Sequence, residues 1–163
     1  MNGLTIRKVN LGDLDRVAEI EAECFPASEA ASKKSIEERI LAFTDSFFVA
    51  EMDGIIVGFI DGCATNSPLI YDEMYHDTRE HIPDGKNLAV FGLDVVPGYQ
   101  KQGIAAKLMG YFIESARKGG RESVILTCKE KLVHYYEYFG FKNCGISGST
   151  HGGVQWYDMT LTL

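Results

Sequence analysis

A chain of 163 residues, 45% hydrophobic and 24% charged, has the makeup of one soluble globular domain with a real core. Its formal net charge of -7 argues against a general affinity for nucleic acid, and no apolar run approaches the roughly 20 residues that cross a membrane. The opening "MNGLTIRKVN" lacks the apolar run of a secretory signal, so a cytoplasmic protein is expected. Cys24, Cys63, Cys128 and Cys144 lie far apart with no CxxC pair. That speaks against a metal site or a thioredoxin-like motif and predicts small buried hydrophobes.

In chain order, "LTIRKVN" alternates and predicts a strand over Leu4 to Val9. Leu14, Val17, Ala18, Ile20 and Cys24 recur near helical spacing, so a helix follows Asn10 and stops at Pro26. Ser35 with Glu38 three residues on fits a capping box and predicts a short helix to about Phe43. Two apolar runs flank Asp53-Gly54, a dipeptide favoured in two-residue hairpin turns. The polar stretch from Asn66 to Lys86 reads as an insert with a short helix around Tyr71 to His81. "NLAVFGLDVV" is the next strand, and Gly92 in its interior marks a bulge or a close backbone approach. A turn at Pro97-Gly98 leads to a helix from about Gly103 to Lys118, with Ile104, Leu108, Phe112 and Ser115 on one stripe. "SVILTC" is a strand, "KLVHYYEYFGF" a brief aromatic helix broken at Gly140, and "CGISGS" and "QWYDMTLTL" are the last strands. The whole reads as a single mixed α/β domain over residues 1–163, mostly antiparallel, with helices on both faces.

The segment "VVPGYQKQGIAAKLM" carries the chemistry. A helix start leaves backbone N–H donors unpaired and partially positive, and a glycine there lets the main chain approach an anion. Gly103, Ala105 and Ala106 suit a phosphate, and Lys101 adds charge. Neither GxxxxGK[ST] nor GxGxxG is present, so a P-loop is excluded and a dinucleotide site disfavoured.

"LDVVPGYQKQGIAAKLM" resembles the acetyl-CoA motif of the GNAT superfamily of N-acetyltransferases, with Gln100-Lys101-Gln102-Gly103-Ile104-Ala105 in the place of Q/R-x-x-G-x-G/A. "LVHYYEYFGF" resembles the family's second signature, a tyrosine followed by a GF pair, and "VILTCKEKLVHYYEYFGF" is most similar to the arylalkylamine (serotonin) N-acetyltransferase branch. The resemblance implies a sheet splayed at a central bulge near Gly92, and acetyl-CoA as cosubstrate without a metal. It implies that Lys101, Gln102, Gly103, Ile104, Ala105 and Ala106 hold the pyrophosphate through their backbone N–H groups. Leu93, Asp94 and Val95 would pair with the pantetheine arm, and the Val95 N–H would face the thioester oxygen. Tyr136 would be the general acid toward the departing thiolate, also touching the cofactor. A phenol at about 10 against a thiol at about 8.5 makes full transfer uphill by roughly 2 kcal/mol, so hydrogen-bond donation is the easier role.

The acceptor implied is an amine, small-molecule or peptide, attacking directly in a ternary complex. The strand positions where the serotonin branch has relay histidines here hold Ala89 and Phe91. Asp94, Asp72, Glu73 or water could substitute as base. His76 and His81 read as solvated surface histidines, and His134 as facing elsewhere on its helix. An insert rich in Asp72, Glu73, Asp77, Glu80 and Asp84 suits a cation or plain solvation. A non-catalytic CoA-binding sensor or interaction module is the alternative. Either a monomer or a homodimer fits.

Overall fold

The computed structural model describes residues 3–163. The elements are β1 (Leu4–Lys8), α1 (Leu14–Cys24), α2 (Lys33–Ala42), β2 (Phe47–Met52), β3 (Ile55–Thr65), α3 (Glu73–His76), β4 (Asn87–Val95), α4 (Ile104–Lys118), β5 (Ser123–Cys128), α5 (Val133–Glu137), β6 (Lys142–Ile146) and β7 (Tyr157–Thr162), joined in places by short 3-10 turns. The strand order is β1-β2-β3-β4-β5-β7-β6. The pairs β1–β2, β2–β3, β5–β7 and β6–β7 are antiparallel, and β4–β5 is parallel. This is the mixed, mostly antiparallel α/β sheet that the alternation predicts. The described residues cluster into two compact units, one running to Gly62 and taking in Gly92–Ser115, the other Cys63–Phe91 with Ala116–Leu163. The division falls within β3, β4 and α4.

In the first unit the core joins Val17 and Ile20 of α1 and Ile36 and Ile40 of α2 to Val9, Phe47, Val49, Ile56 and Phe59. Each such side chain, fully buried, contributes about 1.5–3 kcal/mol. The Phe47 and Phe59 rings stack at 5.7 Å. On α4 the predicted stripe is buried at Ile104, Leu108 and Phe112, joined by Met109. Asp53 and Gly54 have φ of 51° and 83°, the left-handed pair a two-residue hairpin turn requires. The cap of α2 differs from expectation. Ser32, not Ser35, is the N-cap; its hydroxyl accepts from the Ser35 N–H at 3.1 Å, and the helix starts at Lys33. "SKKS" offers serines at both ends, and only the extended backbone of Ser32 presents its oxygen to the first turn.

Gly58 on β3 sits against β4. A Cβ there would lie 2.6 Å from the Asp94 carbonyl oxygen and 3.3 Å from Val95 Cγ2. Gly58→Ala is therefore expected to destabilise by about 1–3 kcal/mol, because the Asp94–Val95 backbone must move. Urea melts check this; a variant with wild-type stability would show that β4 does not need the close approach.

In the second unit β4 and β5 pair in parallel from Asn87–Ser123 to Ala89–Ile125. Asn87 ties the insert to the sheet: its Nδ2 donates to the Ser67 carbonyl at 2.9 Å, and its Oδ1 accepts from Ser123 Oγ at 2.6 Å. Leu88, Ala89, Val124, Ile125, Leu126, Phe141 and Met159 are buried. The insert contains α3 and a 3-10 turn at Thr78–Glu80, where a single short helix is predicted.

Candidate functional site

Within the first unit, β4 ends at Val95 and the chain turns through Pro97–Tyr99. The Val95 carbonyl holds this turn in place. It accepts from Gln100 Nε2 at 2.9 Å and from Cys24 Sγ at 3.3 Å. Lys101 then takes a left-handed φ of 63°, unusual for a residue with a Cβ, and Gly103 takes 85°. Nothing lies within 4 Å of a Cβ built on Gly103, so its backbone angle, not crowding, calls for glycine. At the start of α4 the Lys107 N–H donates to the Gly103 carbonyl at 3.1 Å. The N–H groups of Ile104, Ala105 and Ala106 thus have no acceptor inside the helix, and Lys101, Gln102 and Gly103 beside them are exposed. An anion of phosphate type suits that corner.

Upstream, Leu93 is partly exposed while Asp94 and Val95 are buried. Asp94 is 1% exposed, and neither carboxyl oxygen has a hydrogen-bond partner. Burial first, and then the Glu21 carboxyl, push it well above the ordinary carboxylate range. Asp61, also fully enclosed, is pushed up to about 6 by burial, with Arg39 acting against it through a 3.0 Å ion pair. Gly92 lies between the two acids. A Cβ on it would come 2.9 Å from Asp61 Oδ1 and 3.2 Å from Asp94 Oδ1. The close approach that the strand glycine predicts is an approach to carboxyl groups.

Within the second unit, Tyr136 on α5 is half-buried, edge-on to Tyr135 at 5.2 Å and to Phe141 at 6.0 Å. Tyr138 is 94% exposed, so burial separates Tyr136 from its neighbour. The GF pair has a mechanical cause. Gly140, at φ 102°, turns the chain so that the N–H groups of Phe139 and Phe141 both reach the Tyr136 carbonyl, and Phe141 anchors in the core. His134 is on the surface, its Nδ1 2.9 Å from Glu137 Oε1.

Other expectations need correction. His81 is not merely solvated: its Nδ1 accepts from the Ala64 N–H at 3.0 Å. Cys63 and Cys128 are buried as predicted, but Cys144 is exposed and Cys24 only half-buried. Burial pushes the Cys128 thiol up to about 11, which leaves it a poor nucleophile. Among the acids of the insert, Asp72 accepts from Ser149 and Thr150, Asp77 pairs with Arg79, and Glu80 accepts from the Tyr71 hydroxyl. These acids are engaged internally. Sequence reasoning passed over His151, which the structure sets beside Tyr75 and close to Asp72. The only signal available was a histidine ahead of Gly152-Gly153 in "STHGGV".

A mixed sheet whose fourth strand feeds a left-handed turn and a long helix places an anion-suited corner at the end of that strand. Residues 13–163 match the family model described as "Acetyltransferase (GNAT) domain", and the chain belongs to that family. It is 25% identical over 149 residues to "Probable hydrolase YhcX" of Bacillus subtilis (strain 168), covering 83% of this chain and 27% of that protein, so it spans about a quarter of the relative's length. Its fold is similar to the loading GNATL domain of CurA from Lyngbya majuscula (TM-score 0.86, 15% identity, 99% and 98% of the two chains). It is also similar to yncA from Salmonella typhimurium, solved with its cofactor acetyl-CoA (TM-score 0.72, 17% identity, 99% and 95%). No helix among the described residues is long and apolar enough to cross a membrane.

Proposed function

We propose that this chain, acting as a single N-acetyltransferase domain, moves an acetyl group from acetyl-CoA to a primary amine by direct attack in a ternary complex. The carrying observation is the corner at Lys101–Ala106: two left-handed residues ahead of a fifteen-residue helix with its first N–H groups open. Acetyl-CoA in the similar yncA structure supports the choice of anion. In this reading the backbone of Lys101, Gln102, Gly103, Ile104, Ala105 and Ala106 holds the pyrophosphate, and Leu93, Asp94 and Val95 run along the pantetheine. The amine nitrogen forms a bond to the thioester carbon, the C–S bond breaks, and the Val95 N–H stabilises the oxygen as it gains charge. Tyr136 donates to the leaving sulfur. Asp94 is enclosed, so it serves as a proton holder behind the backbone and is not the group that meets the amine. The raised value of the Cys128 thiol favours direct attack over an acyl-enzyme.

The second reading is a CoA-binding module without turnover. Ala89, wholly buried, and Phe91 favour it, since neither can carry a proton. Two measurements decide. Acetyl-CoA should raise the melting temperature, and free thiol should appear with at least one class among polyamines, arylalkylamines, aminoglycosides and peptide amines. Stabilisation without thiol release would select the module; no stabilisation would remove both readings.

A further inference from the structure

Of Glu19, Glu21 and Glu23 in the second half of α1, only Glu21 is buried. It is 6% exposed and follows the fully buried Ile20. A carboxyl set among apolar side chains is costly unless something bonds it. Two groups do. The Ala31 N–H donates to Glu21 Oε2 at 2.8 Å, across the turn that joins α1 to α2. The second partner is another acid, since the Glu21 and Asp94 side chains meet in a hydrogen bond. Among the described residues no N–H or hydroxyl reaches either oxygen of Asp94. Two carboxyl groups can bond only when one of them carries a proton. Glu21 already accepts from a backbone donor and Asp94 does not, so the proton sits on Asp94 and points at Glu21.

The pair stands against the end of β4, inside the first unit. One turn on from Glu21, Cys24 Sγ donates to the Val95 carbonyl at 3.3 Å. The last turn of α1 therefore holds two consecutive residues of that strand, Asp94 by its side chain and Val95 by its backbone. Two residues earlier, the Gly92 N–H donates to Asp61, so the strand is fixed on both sides of Leu93. The titratable groups that face Asp94 are Glu21 and Cys24 from α1 and Asp61 from β3. The one cation beside these groups, Arg39 of α2, is paired with Asp61. Burial first, then Glu21, keeps the Asp94 carboxyl protonated well above its ordinary value of 3.8. Its contribution to stability is present below that ordinary value and is lost as pH rises through the raised one.

We propose that Glu21 is a positioning residue for the acetyl-CoA site: by accepting the Ala31 N–H and the Asp94 proton together, it fixes residues 93–95 of β4 and ties them to the loop over residues 25–32. This rests on the acetyl-CoA reading above, in which residues 93–95 run along the pantetheine. The arrangement holds while the proton is in place. When Asp94 gives it up to solvent, two enclosed carboxylates face each other without a donor between them, and their repulsion loosens the strand end. Glu21 acts through Asp94 and takes no part in the transfer itself.

The test uses the full chain and acetyl-CoA alone. In the wild type, carbon NMR of labelled aspartate carboxyls should find Asp94, assigned from Asp94→Asn, still protonated at pH 8, where Asp61 at about 6 is already ionised. The dissociation constant for acetyl-CoA should rise with pH only where Asp94 titrates. Glu21→Ala loses both ties and should weaken binding about tenfold at pH 7. Glu21→Gln keeps an oxygen for Ala31 and offers an N–H to an ionised Asp94, so it should restore affinity to within about threefold of wild type. In that variant the Asp94 midpoint should fall below pH 8 and the alkaline loss of binding should disappear. A residue that merely filled space would move no midpoint. Equal losses in the two variants, no loss in Glu21→Ala, or an Asp94 already ionised at pH 8 in the wild type overturns the proposal. The last measurement needs no Glu21 variant, so it decides even where Glu21→Ala does not fold. Wild-type protein that holds a protonated Asp94 and binds no acetyl-CoA at any pH removes the acetyl-CoA reading and the positioning role with it. Wild-type binding with an unmoved Asp94 midpoint in Glu21→Gln removes Glu21 alone.

Discussion

Arg39→Met is expected to lower the unfolding free energy by about 3–5 kcal/mol at pH 8 and by far less at pH 4. Arg39 Nη1 and Asp61 Oδ2 meet at 3.0 Å, with side chains 8% and 0% exposed. Removing the guanidinium leaves a carboxylate in a medium that cannot solvate it. Burial already raises Asp61 from 3.8 to about 6, so its neutral form is the one the fold favours. A group raised in this way contributes stability that is present below 3.8 and is lost as pH rises through about 6. Without Arg39, which pulls the value down, the carboxyl climbs further and the loss extends to higher pH. Urea denaturation at pH 4, 6 and 8 measures this. A deficit of the same size at all three would mean that Arg39 acts by packing its stem, not by its charge. The double variant Arg39→Met, Asp61→Asn should recover part of the loss, since it removes both charges.

Tyr136→Phe is expected to lower kcat about 10²-fold while the dissociation constant for acetyl-CoA changes by less than about twofold. The ring keeps its edge contacts with Tyr135 and Phe141, so only the hydroxyl is lost. If that hydroxyl serves the leaving sulfur, the deficit should diminish with an acetyl donor whose leaving group is stable as an anion. Pre-steady-state thiol release and equilibrium binding separate the two effects. Equal losses in turnover and affinity would make Tyr136 a packing residue.

Much of the fold was legible in periodicity. Val17 and Ile20 mark the buried face of α1, Ile104, Leu108 and Phe112 that of α4, and Asp53-Gly54 the hairpin. These are local signals, since helical spacing and turn chemistry act over a few residues. The site divided differently. Gly103 could be read because a helix start there needs its backbone angle, while the GF pair at Gly140-Phe141 was legible only through its resemblance to a family signature. The start of α2 lies three residues ahead of the cap that Ser35 and Glu38 suggest, because two serines compete for it and only the extended backbone of Ser32 decides it.

What the sequence determined by itself is the succession of strands and helices along the chain, the corner at Lys101–Ala106 and the turn at Gly140. Each is set by neighbours within a turn or two of the chain. Only the tertiary structure decided which acids lie buried together at Gly92, that Asp72 holds a loop nearly eighty residues away, and that His151 stands beside Tyr75. Those relations join residues far apart in the chain, and a charge or a ring carries no mark of the distant partner that packing will bring to it.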